Sequence, residues 1–126
     1  MTLERAKEIF YLMWTDRKHV DPVILFEDML EKGLINIREF SVINSACPAC
    51  IIARERSFVL DNGFTCNYCN YCPIDFSYLS SEERFGKCGH PQSRRRRWIR
   101  AAIHSDTKEC EAIAKEIIEK TVWKGV

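Results

Sequence analysis

No stretch of this 126-residue sequence approaches the roughly twenty apolar residues that a membrane-spanning helix needs. The opening MTLERAKEIFYLMW mixes both charges and has no uncharged apolar run before a small-residue cleavage site, so no secretory signal is expected. These absences predict a soluble, cytoplasmic protein with no membrane partner, in a compartment that keeps thiols reduced. Internal repetition is confined to two Cys-Asn-Tyr units, and no low-complexity linker divides the chain, so residues 1–126 are read as one domain. Histidine is scarce as well. His19, His90 and His104 are the three present, and none begins the His-x-Glu element that zinc deaminases pair with their cysteines. The paired histidines of a nucleic-acid-binding zinc finger are missing too. Net charge of one sign is nearly absent, at +1 overall.

That average hides an asymmetry. Between Lys87 and Arg100 there are six cations and no acid, so this segment carries +6 and the remainder −5. Cysteine is abundant, with seven in all, and six of them (Cys47, Cys50, Cys66, Cys69, Cys72 and Cys88) lie within about a third of the chain. An odd count speaks against a complete disulfide framework. In a reducing compartment, Cys-x-x-Cys spacing points to metal or redox chemistry first.

Helical signals surround this segment. Thr2 caps a first helix whose Leu3, Ala6, Ile9, Phe10, Met13 and Trp14 recur at helical spacing. Asp21-Pro22 is an acid cap followed by proline at the first helical position. Leu25, Phe26, Met29 and Leu30 form the stripe, and Gly33 is the C-terminal stop. Asn36 with Glu39 suggests a third helix, although LINIREF also alternates like a strand. Phe58, Val59, Asn62-Gly63 and Phe64 suggest a short β-hairpin. Ser93 then caps a helix with Trp98, Ile99, Ala102 and Ile103 towards the core. Ser105 or Asp106, with Glu109, opens the last helix, carrying Cys110, Ile113, Ala114, Ile117 and Ile118. The expected fold is mainly α, with a small α+β arrangement as the alternative. Helical parts at 1–45 and 93–126 flank an irregular, zinc-stapled segment at 46–92.

Two Cys-x-x-Cys pairs fifteen to twenty residues apart are a zinc signature. Cys47/Cys50 meets it twice, with a gap of fifteen to Cys66/Cys69 and of eighteen to Cys69/Cys72. Each pair can turn both sulfurs onto one tetrahedral ion, at roughly 2.3 Å per sulfur. Pro48 stiffens the first pair, and Pro73 forces a turn after Cys72. Cys88 and His90 offer substitutes. An all-thiolate site is closed and electron-rich, which suits a structural zinc rather than a catalytic one. No enzyme is expected. A redox pair would need a strand feeding a helix in an α/β fold, which the helical pattern does not supply. An iron–sulfur cluster uses the same ligands and is the alternative cofactor. Cys110 lies on an apolar stripe and is read as core.

CPAC (47–50), CNYCPI (69–74), Cys88 and WIRAA (98–102) together resemble small cysteine-rich proteins of tailed phages and prophages. The resemblance spans the C-terminal two-thirds. It implies a context more than an activity: an intracellular viral protein directed at a host factor, in the host cytoplasm. It favours Cys69 and Cys72 over Cys66, which departs from the pattern. The expected metal ligands are therefore Cys47, Cys50, Cys69 and Cys72, with Cys66, Cys88 and His90 as substitutes.

SRRRRWIR is the other informative stretch. Cations crowd a helix N-terminus that is already partly positive, a cost that an anion would reverse. Arg94, Arg96, Arg97 and Arg100 are the expected anion-binding residues, for the phosphate of a nucleic acid or nucleotide. Neutralisation by nearby acids such as Asp75, Glu82 and Glu83 is the blander alternative. Tyr68, Tyr71, Phe76 and Tyr78 can stack on a base or fill the thin core beside the metal. The expectation is a non-catalytic, zinc-stabilised protein that binds a phosphate-bearing partner. A module capturing an acidic host protein is the rival.

Overall fold

The computed structural model describes residues 1–43, 46–60, 71–79, 88 and 90–124. Six helices occur among them: α1 (Leu3–Trp14), α2 (Pro22–Glu31), α3 (Ile37–Ile43), α4 (Pro48–Leu60), α5 (Arg94–Ile103) and α6 (Thr107–Lys120). The protein is mainly helical. None of these helices is long and apolar enough to cross a membrane.

The helix starts follow their caps. The Thr2 side chain accepts the Arg5 N–H, that of Asp21 the Val23 N–H, that of Ser93 the Arg96 N–H and that of Asp106 the Glu109 N–H. Asn36 and Glu39 make a full reciprocal capping box. Asn36 Oδ1 accepts the Glu39 N–H at 2.8 Å, and Glu39 Oε1 accepts the Asn36 N–H at 3.0 Å. Two satisfied donors turn LINIREF to helix rather than strand. Gly33 follows α2 with φ 75, the left-handed stop that needs no Cβ.

One core cluster joins the helices. Ile9, Phe10, Met13 and Trp14 of α1 meet Leu25, Phe26 and Met29 of α2, Trp98 and Ala101 of α5, and Ile113 and Ile117 of α6. α5 and α6 pack as an antiparallel hairpin, and α4 lies on α1. The buried positions of α4 include Ala49, Ala53 and Ser57, at four-residue spacing. Side chains this small let two helix backbones approach closely.

Three expectations are corrected. Residues 48–60, read as irregular chain leading into a hairpin, form α4. Phe58 and Val59, expected as one hairpin arm, lie on its exposed side. Asn62-Gly63 and Phe64 lie outside the described residues. α5 is rotated from the expected stripe. Trp98 and Ala101 are buried, Ile99 and Ala102 are half-buried, and Ile103 is 67% exposed. Arg94 shares the line of Trp98 and Ala101, and its paired head group turns inward with them.

Candidate metal centre and arginine helix

Three separate parts of the fold carry cysteines to one cavity. Cys47 stands immediately before α4, Pro48 opens the helix, and Cys50 completes its first turn, with its N–H donating to the Cys47 carbonyl at 2.8 Å. Cys72 is held by the tail of α6. Ile74 pairs with Trp123 in an isolated antiparallel bridge, Asp75 N–H donates to Val122 O at 2.8 Å, and Lys124 N–H donates to Pro73 O at 2.6 Å. Cys88 is tied to the start of α5, where the Ser93 hydroxyl donates to its carbonyl at 2.6 Å. All four cysteines line one cavity of about 90 Å³, together with Phe10, Met13, Phe26, Ile74 and Ile117.

The electrostatics of the first pair suit a thiolate. The two side chains hydrogen-bond to each other. That bond from Cys47, working against burial and helped by the charges of Arg54 and Arg95, draws the Cys50 thiol down to about 7. The Cys47 thiol is pushed up, first by the same bond and then by burial. The pair thus favours a thiolate at Cys50, the form in which a cysteine binds a metal.

Among the described residues, no three His, Cys, Asp or Glu side chains close into a group able to hold an ion. Cys66 and the expected ligand Cys69 lie outside the described residues. The donor set nevertheless fits zinc: a hydrogen-bonded Cys-x-x-Cys pair at a helix start, with Cys72 near enough for its charge to act on Cys47. Cys88 is on the same wall. His90 is not among the cavity-lining residues. Its buried ring accepts the Gln92 N–H on Nδ1 at 2.9 Å. Cys110, half-buried on α6, contacts Trp98 O at 3.9 Å, as expected for a thiol on the helix packing face.

The four consecutive arginines separate. Arg94 Nε donates to Glu116 Oε2 of α6 at 2.9 Å, and its guanidinium lies 3.9 Å from the centre of the Tyr78 ring. Arg97 also donates to Glu116. Arg95 turns into the cysteine cavity. Arg96 and Arg100 are exposed, and Arg100 donates to Pro91 O. Among the described residues the acid that neutralises Arg94 and Arg97 is Glu116, 22 residues beyond Arg94 on another helix and so without a local signal in the sequence; Glu82 and Glu83 lie outside the described residues. Phe76 and Tyr78 line the cavity, with ring centres 6.3 Å apart, and so form part of its wall.

Arg17 was not singled out either. Its guanidinium lies 4.4 Å from the Trp14 ring centre and 4.6 Å from that of Trp98, and it lines the same cavity. An arginine three residues after a helical tryptophan was the available signal, but the second ring comes from α5.

Family models, curated proteins and solved structures give no match to this chain.

Proposed function

We propose that this is a non-catalytic helical protein stapled by a structural zinc, which presents an arginine-bearing helix to a phosphate-bearing partner, a nucleic acid or a nucleotide. The observation that carries the reading is the convergence of Cys47, Cys50, Cys72 and Cys88, from three parts of the chain, on one cavity beside the start of α5. Zinc would be held by Cys47, Cys50 and Cys72, with the fourth thiolate from Cys88 or Cys69. It would supply cross-linking rather than reactivity. The staple supports the arginine helix directly, because Ser93 caps α5 and also bonds the Cys88 carbonyl. Of the four arginines first assigned to anion binding, Arg94 and Arg97 already share Glu116. Arg96 and Arg100 point outward one helical turn apart and are the contact residues.

A fluorescence titration with single-stranded nucleic acid across salt tests this. Affinity should fall as salt rises, and each of Arg96→Ala and Arg100→Ala should reduce the slope by about one. Affinity indifferent to salt, or unchanged by both substitutions, overturns it.

One observation favours a second reading. Arg96, Arg100 and the exposed Ile103 occupy one face of α5, at i, i+4 and i+7. A cationic stripe ending in an apolar side chain suits an acidic protein surface, such as a host factor, better than a bare phosphate. Capture of a single protein from nuclease-treated extract, lost with Ile103→Asp, supports this reading over the first.

A further inference from the structure

The cavity beside α5 has an unbalanced charge inventory. Its described lining residues include Arg17, Arg94 and Arg95 but no aspartate or glutamate. Arg94 is neutralised by Glu116 outside the cavity. Among the described residues no carboxylate pairs with Arg17 or Arg95, and the cavity sets four thiols beside them.

Arg17 is held firmly in this position. The Trp14 and Trp98 rings meet edge to face, with centres 5.5 Å apart at 81°, and the guanidinium lies over both. Its Nε donates to His19 O at 2.9 Å and its Nη2 to Val20 O at 3.1 Å, which fixes the plane of the head group. Burial, then the charge of Arg95, lowers its pKa to about 10, while Cys47 acts in the opposite sense. The group therefore stays protonated at neutral pH. Two like charges facing a shared apolar cavity are costly unless an anion lies between them. The Trp14 indole N–H on the same wall is buried without an acceptor among the described residues. The cavity thus has an excess of donors and positive charge.

A zinc ion with four thiolates carries two negative charges, and one with three thiolates and a neutral histidine carries one. We propose that Arg17 and Arg95 are the built-in counter-charges of an all-thiolate zinc centre, two guanidiniums matched to a dianion. The inference rests on the zinc reading above and goes further: the ligand shell is all sulfur, and metal affinity depends on two arginines that are not ligands. Arg17 and Arg95 are positioning residues in this scheme. Arg95 belongs to the centre, although it stands in the run that otherwise reads as a partner-binding surface.

The test is zinc affinity of the whole purified chain by competition with a chromophoric chelator, with zinc content measured in parallel. Wild type should hold one zinc per chain. Arg95→Gln should weaken binding roughly ten- to hundredfold, the usual effect of removing a group that supports metal ligands. Arg95→Lys should restore most of the loss, and Lys108→Gln, exposed on α6 away from the cavity, should leave zinc affinity unchanged. Arg17→Met should weaken binding at least as much. Should Arg17→Met fail to fold, the half-buried Arg95 decides the matter alone. Full zinc content with unchanged affinity in Arg95→Gln overturns the counter-charge and leaves the zinc centre standing. A wild-type chain that takes up no metal overturns both.

Discussion

Glu116 of α6 accepts from Arg94 of α5 at 2.9 Å, and its same oxygen also accepts from Arg97. One carboxylate thus holds two of four consecutive arginines and fastens the two helices together. Burial pushes the Glu116 carboxyl up, but the two guanidiniums outweigh it, and the net shift is downward. It is therefore charged at neutral pH.

Replacing it separates stability from binding. Glu116→Gln keeps the shape but removes the charge, leaving both arginines for an outside anion. Thermal stability should fall by about 1 kcal/mol, as for a half-exposed charge-assisted bond. Affinity for single-stranded nucleic acid should rise several-fold, with a steeper salt slope. Calorimetric melting and a salt titration on the same preparation check both. Loss of affinity in parallel with stability would mean that the arginine helix binds nothing through charge.

How much of this was legible in the sequence depends on the range of the interaction. The caps at Thr2, Asp21, Asn36, Ser93 and Asp106 bond within three residues, so their spacing in the sequence announces them. α4 gives no clean apolar stripe, because its buried residues mix Ile51 and Ile52 with the small Ala49, Ala53 and Ser57, while Phe58 and Val59 advertise apolar character on the side facing out. Cys47, Cys50 and Cys72 were legible as a cluster from spacing. The partners of the arginines were not. Arg94–Glu116 and Arg17–Trp98 join helices distant in sequence, and a single sequence has no period that records such a pairing.

Gly33 offers a test of backbone conformation alone. It sits at φ 75, and a Cβ built there would meet nothing within 4 Å. Gly33→Ala should therefore cost about 1 kcal/mol through the left-handed conformation only. Gly33→Asn should cost less, because asparagine tolerates that region better. Urea denaturation of the three chains checks the order. Equal costs for Ala and Asn would point to a steric cause instead.

Glu39 sets an acid limit. Its carboxyl is held below the ordinary glutamate range, first by the Arg5 hydrogen bond, against burial, and then by the Asn36 N–H. Arg5 Nε lies 2.6 Å from Glu39 Oε2 and joins α1 to α3. A depressed folded-state pKa means that the unfolded chain binds the proton first as pH falls. The stabilisation is thus complete above the ordinary glutamate value of roughly 4.3 and is lost as pH drops below it towards the lower folded value. Glu39→Gln should lower stability at pH 7 and shrink the difference from wild type progressively at acid pH. Denaturation midpoints measured from pH 7 down to pH 3 check this. A constant gap would remove the ion pair as its cause.

The cysteines divide by what they hold. Cys47→Ser and Cys72→Ser each remove a thiolate from the proposed centre. Zinc should be lost from both, and the segments around α4 and residues 71–79 should unfold, because metal-binding energy is folding energy in such a site. Cys110→Ser, outside the cavity on the α6 packing face, should keep its zinc. The informative pair is Cys88→Ser and Cys69→Ser. Cys88 lines the cavity with the other three thiols, and its carbonyl is bound by the residue that caps α5. Its substitution should therefore release zinc as fully as that of Cys72, and should loosen the start of α5 as well. Zinc content by elemental analysis, with amide exchange of residues 93–97, reads both effects. Zinc lost from Cys69→Ser but kept in Cys88→Ser would give the fourth ligand to Cys69 and leave Cys88 as a wall of the cavity.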